Sequence, residues 1–121
     1  MASILRVNTL TDASSNNSTA VSVINQGSCK HWVKFEGDGT VAVSDSTNNA
    51  SITDDGTGDY TITIANDFSS VNFAMLGTGN QYHVLNDSAN TAGTMQYGNY
   101  NNSHARSDTA RCFAAGFGDL A

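Results

Sequence analysis

The sequence predicts an all-β fold: an antiparallel β-sandwich or jelly-roll-like body carrying an extended N-terminal arm. Three observations lead there. Apolar and polar residues alternate over short runs, most densely across residues 29–64. Clusters of Asp, Asn, Gly, Ser and Thr separate those runs at spacings of roughly 8–12 residues, the rhythm of sandwiches and barrels. Glu36 is the only glutamate and charged residues make up 13% of the chain, so the side chains that usually coat helices are missing.

Residues 1–28 form the predicted arm, a docking segment set apart by composition. Ile4, Leu5, Val7 and Leu10 are its apolar side chains, and Val7, Thr9 and Thr11 favour extended backbone. A polar connector follows at 11–19, too rich in turn formers to be an element. Ala20-Val21-Ser22-Val23-Ile24 reads as a short strand closed by Asn25-Gln26-Gly27-Ser28. An arm of this kind needs a surface to lie against.

Residues 29–121 form the predicted body, with no boundary inside it. In the first strand Cys29, His31, Val33 and Phe35 share one face, and Lys30, Trp32 and Lys34 the other. The first is the better core face, which leaves Trp32 more exposed. A turn at 36–39 leads to a return strand at 41–44. The strand around Ile52 is joined to Tyr60-Thr61-Ile62-Thr63-Ile64 through Asp54-Asp55-Gly56-Thr57-Gly58-Asp59, a connection whose glycines suit positive φ. Further strands are expected at 71–76, 81–85 and 94–97, with a turn at 77–80, a polar loop at 86–93 and irregular backbone at 98–102. A last strand at 109–117 opposes Arg111, Phe113 and Ala115 to Cys112, Ala114 and Gly116.

Composition narrows the functional classes. A chain of 121 residues suits one domain. The net charge is −6, and the five basic residues, Arg6, Lys30, Lys34, Arg106 and Arg111, are scattered. The electrostatic term behind nucleic-acid binding is therefore missing, and an anionic membrane surface is disfavoured. No apolar run is long enough to span a bilayer and no charged-then-apolar leader opens the chain, so a soluble, non-exported protein is expected. An apolar fraction of 39% makes a thin core, and burial between copies is expected to supplement it. Cys29 and Cys112 read as two buried, reduced thiols, with a single bridge as the alternative.

Sites for chemistry are sparse. His31, His83 and His104 stand far apart with no ligand at metal spacing, so no metal is expected. Asp54, Asp55 and Asp59 lack the spacing and closing glutamate of a calcium loop and read as turn residues. A glycosidase pair, a nucleophile elbow and a phosphate loop find no supporting motif. A non-enzymatic protein without cofactors is expected. The remaining feature is Gln96-Tyr97-Gly98-Asn99-Tyr100-Asn101-Asn102, polar, aromatic and loop-like. It is the expected surface-contact loop: Tyr97 and Tyr100 offer apolar area, and Asn99, Asn101 and Asn102 offer hydrogen bonds, a combination suited to a neutral glycan. The alternative is that both tyrosines fill a subunit interface.

Three stretches resemble a known family. Cys29-Lys30-His31-Trp32-Val33-Lys34-Phe35-Glu36-Gly37-Asp38-Gly39-Thr40 is similar to a C/A-K-x-W-V-x-F-x-G-x-G-T pattern. Ser51-Ile52-Thr53-Asp54-Asp55-Gly56-Thr57-Gly58-Asp59-Tyr60-Thr61 resembles S-I-T-D-x-G-T-G-D-Y-T, and Val71-Asn72-Phe73-Ala74-Met75 resembles A-N-Y-A-V. Together they resemble tail-fibre-like structural proteins of bacteriophage virions, notably those of marine and cyanobacterial phages. The resemblance implies a non-enzymatic particle component in the virion, commonly trimeric. Its partners would be other virion proteins, further copies of itself and possible host surface glycans. The short chain suits a tail appendage, or alternatively a decoration subunit of the capsid. A stand-alone carbohydrate-binding module is the reading that dispenses with a particle.

Overall fold

The structure, a computed structural model, describes residues 3–15, 17–85 and 89–121. Residues 1, 2, 16 and 86–88, which belong to the expected arm and to the loop expected at 86–93, lie outside the described residues. The chain order is β1 (Thr9–Thr11), β2 (Ser18–Ala20), α1 (Val21–Gly27), β3 (Cys29–Glu36), β4 (Ala42–Thr47), β5 (Asn49–Gly56), β6 (Asp59–Ile64), β7 (Ala74–Gly79), β8 (Tyr82–Leu85), β9 (Thr94–Tyr100) and β10 (Cys112–Phe117). Strands β4-β3-β10-β7 form a first four-stranded sheet and β5-β6-β9-β8 a second, while β1 and β2 make a separate hairpin. All pairings are antiparallel. The expected all-β sandwich is what the chain builds. Strand β9 lies between β6 and β8, and β10 lies between β3 and β7, which is Greek-key wiring.

Period-two alternation decides which side chains meet between the sheets. His31, Val33 and Phe35 of β3 and Cys112 and Ala114 of β10 point inward from the first sheet. Tyr60, Ile62 and Ile64 of β6 and Met95 and Tyr97 of β9 point inward from the second. Phe35 stands edge-on to Tyr60 and Tyr97, with ring centroids 5.3 and 5.5 Å away. A Cβ at Gly116 would lie 2.5 Å from Met95 Cε and 2.9 Å from Phe68 Cζ, so a bare backbone there admits both side chains to the core.

Five expectations are corrected. Residues 21–27 are a helix, α1, where a strand at 20–24 was expected. Strand β2 ends at Ala20 with its partner, Val21 N–H already donates to Asn8 C=O, and the backbone beyond has no strand to pair with. A helical turn satisfies those groups internally in spite of the β-branched residues. The Asp-Gly connection is shorter than expected, because β5 runs to Gly56 and only Thr57 and Gly58 link it to β6. Strand β7 lies three residues later than expected, because Gly77, Thr78 and Gly79 pair with Ala114, Phe113 and Cys112. Strand β9 continues through Gly98, Asn99 and Tyr100, which pair with β8, where irregular backbone was expected. Both cysteines are free, but only Cys112 is buried and Cys29 is exposed.

Candidate functional site

The outer face of the first sheet holds the most distinctive surface. Since β3 buries His31, Val33 and Phe35, Trp32 and Lys34 must point outward. Register then lines up two rows. Ala115 has Trp32 and Leu76 as its Cα partners on either side, and Phe113 has Lys34 and Thr78. The small methyl of Ala115 sits between two large side chains and leaves a groove of about 420 Å3, lined by Trp32, Leu76, Gly77, Thr78, Phe113 and Ala115. Trp32 remains 37% exposed and Leu76 61%. Lys34 Nζ lies 5.9 Å from the Phe113 ring centroid, a cation–π contact in the neighbouring row. The groove is lined by apolar side chains and backbone with one hydroxyl, that of Thr78, and no titratable group, so its chemistry is to bury an apolar or flat partner group.

The N-terminal arm is the second uncovered apolar surface. Ile4 and Leu5 are 76% and 82% exposed, and Val7 and Leu10 are exposed as well. Helix α1 buries no residue and also exposes Val23 and Ile24. A side-chain contact from the arm to the body is the 3.5 Å hydrogen bond from Gln26 Nε2 to Asp119 Oδ2.

The expected contact loop is strand as far as Tyr100 and loop only at Asn101 and Asn102, and this is a correction to it. Tyr97 and Asn99 are fully buried, because β9 is a central strand and both side chains face the first sheet. The Tyr97 hydroxyl donates to the Thr78 carbonyl at 2.9 Å and meets His83 Nδ1 at 2.7 Å. Burial pushes its pKa well above the ordinary tyrosine value, with the neighbouring Cys112 thiol adding to the shift. Asn99 Nδ2 donates to the Ser107 carbonyl at 2.6 Å, while its Oδ1 and His83 Nε2 are buried without a hydrogen-bond partner. Tyr100 is half-buried with the Arg106 guanidinium 5.2 Å from its ring. Asn101 Oδ1 accepts from the Ser103 and Ala105 backbone and shapes the loop. Asn102 alone of the five is exposed. The alternation Met95, Tyr97, Asn99 was the available signal for an inward face, and the polar Asn99 masked it.

The other polar features are structural. Gly58 N–H donates to Asp108 Oδ1 at 2.7 Å, and the Tyr60 hydroxyl is shared between Asp108 and the Gly37 carbonyl. Asp59 pairs with Arg106 at 2.8 Å, and Asp54 Oδ1 accepts from Gly56 N–H. The acidic turn therefore pins the β5–β6 hairpin to the 106–108 segment. Among the described residues no three His, Cys, Asp or Glu side chains are grouped to hold a metal. Burial pushes the Cys112 thiol up to about 11, which leaves it protonated and inert at neutral pH. Burial also lowers the His31 pKa, partly opposed by its hydrogen bond to Asn49.

Comparison with protein-family models, with curated proteins and with solved structures finds no match to this chain.

Proposed function

We propose that this protein is a non-enzymatic structural subunit of a bacteriophage particle, a short tail appendage docked through its N-terminal arm. The observation behind this reading is the coexistence, on one small sandwich, of two uncovered apolar surfaces: the Ile4–Leu5 arm and the Trp32–Leu76 groove. Contiguous exposed apolar surface marks association, and an assembled shell or fibre supplies the cover. The motif resemblance adds the particle. Its Asp-Gly stretch forms the β5–β6 hairpin, and its Trp-containing stretch forms β3 beneath the groove. The expected homo-oligomer, commonly a trimer, belongs to this reading, as do other virion proteins as partners.

Mass spectrometry of purified virions, with antibody labelling in the electron microscope, tests the proposal. The chain is expected at stoichiometric copy number, with label on the tail. Label on the head would move the assignment to capsid decoration, and absence from washed particles would overturn it. A carbohydrate-binding reading retains one supporting observation, the open tryptophan face. Glycan-array binding to the Trp32 surface, lost in Trp32→Ala, would favour it over the particle reading.

A further inference from the structure

We propose that segment 4–7 of one chain, in extended form, lies in the sheet-face groove of a second copy, so that the arm of each subunit completes the outer sheet of the next. This deepens the particle-subunit reading and rests on it for its biological setting: the surface on which the arm docks is then a neighbouring copy in the particle. Both halves of the contact are present on one chain, and neither is covered. The groove over Ala115 is apolar, open and large enough for more than one aliphatic side chain. In extended backbone Leu5 and Val7 project to one side, two residues apart, which suits the row spacing of the sheet beneath.

Charge supports the same occupant. Arg6 sits between Leu5 and Val7 in a chain with only five basic residues. On the outer face beside the groove, Glu36 follows Lys34 along β3, and Asp45 is the Cα partner of Lys34 on β4. Among the described residues the ion pair found is Arg106–Asp59, so neither carboxylate is matched by a cation at ion-pair distance. With Leu5 and Val7 turned into the groove, Arg6 leaves the opposite side of the arm, and its long side chain has to bend back to meet that acidic flank. Its own groove is not where the arm lies in this structure, since Ile4 and Leu5 remain exposed. The contact is also not self-complementary: it joins an arm to a groove. Two copies can exchange arms reciprocally about a two-fold axis, and a larger number can join head to tail in a ring.

The test is a complementation experiment on the full chain. One variant, Ile4→Asp with Leu5→Asp, keeps the groove and disables the arm. The other, Leu76→Asp, keeps the arm and disables the groove at a position exposed enough to leave the fold intact; Trp32→Gln is a second groove variant should β7 loosen. Sedimentation velocity is expected to show an oligomer for the unaltered chain and a single-chain mass for each variant. An equimolar mixture should give a species of twice the chain mass, because one arm still meets one groove, with Trp32 emission moving to shorter wavelength. An arm variant that assembles like the unaltered chain would show groove-to-groove association and overturn the exchange. A monomeric unaltered chain, with or without its own arm in its own groove, would do the same, as would a mixture that stays at single-chain mass. The virion-composition experiment is independent, so failure of the exchange is distinguishable from failure of the particle assignment.

Discussion

The two sheets have similar interiors and opposite exteriors. The second sheet turns Thr53, Thr61 and Gln96 outward in one row and Ser51, Thr63 and Thr94 in the next. These hydroxyls and amides bond to one another: Gln96 Nε2 donates to Thr61 Oγ1 at 2.7 Å, and the Thr91 and Thr94 hydroxyls are 2.8 Å apart. The first sheet turns Trp32, Ala115 and Leu76 outward in the corresponding position. An antiparallel sheet with one face in the core ordinarily leaves the other face polar. The second sheet follows that rule and is finished as a monomer surface. The first breaks it, which marks its outer face as a surface to be covered.

The comparison can be broken most severely from inside the second sheet. Tyr97→Ala removes a ring that touches Phe35 and strands His83 Nδ1, and it should cost about 3–5 kcal/mol, the range for large aromatic truncation in a core. Urea unfolding measures it; a cost below about 1 kcal/mol would mean β9 is not central. Gly58→Val comes next. Gly58 has φ +63°, and an added Cβ would lie 2.6 Å from both Asn99 O and Ser107 N. Left-handed strain and overpacking together make about 3 kcal/mol a reasonable expectation. At Gly56, with φ +138° and open space around it, valine meets the strain alone and should cost less. Equal thermal midpoints for the two variants would contradict the close approach of the hairpin to the 106–108 segment.

Acid should weaken the first sheet through His31. Its folded pKa is held below the ordinary 6.5 by burial, so the unfolded chain binds a proton that the folded chain refuses. Stability is therefore full above about pH 6.5 and falls as the pH drops from there towards the folded pKa. Denaturant midpoints followed from pH 7.5 to 5 check the sign; His31→Gln should make that part of the profile shallower, and His83, whose pKa burial also lowers, should account for the slope that remains. The smallest effects belong to the outer faces. Thr61→Val on the second sheet and Leu76→Thr on the first should each change stability by less than about 1 kcal/mol, as surface positions do. Only the Leu76 change should alter association, read by sedimentation. Equal behaviour of the two would erase the difference between the sheets.

Much of the body was legible because alternation is local. Val33 and Phe35 inward with Trp32 outward, and Tyr60, Ile62 and Ile64 inward with Thr61 and Thr63 outward, follow from one strand at a time. Two of the misread places show what alternation misses. Residues 21–24 look like a strand by propensity, yet no neighbouring strand is there to receive them, and the helix results. Asn99 looks like a surface amide, yet Ser107 supplies a carbonyl for it, and a central strand can then keep it inside. Both errors have one cause: hydrogen-bond partners distant in sequence outweigh the residue's own preference.

The sequence by itself determined the fold class, the short strands and their inward faces, the outward Trp32, and an apolar arm ahead of the body. Period-two patterning and turn chemistry act within a few residues, so they can be read without knowing what lies alongside. Strand order was decided only by the tertiary structure. Placing β10 between β3 and β7 is what brings Trp32, Phe113 and Leu76, 81 positions apart at the extremes of 32 and 113, around one alanine methyl. The groove depends on register across three strands, and no local signal in any one of them encodes it.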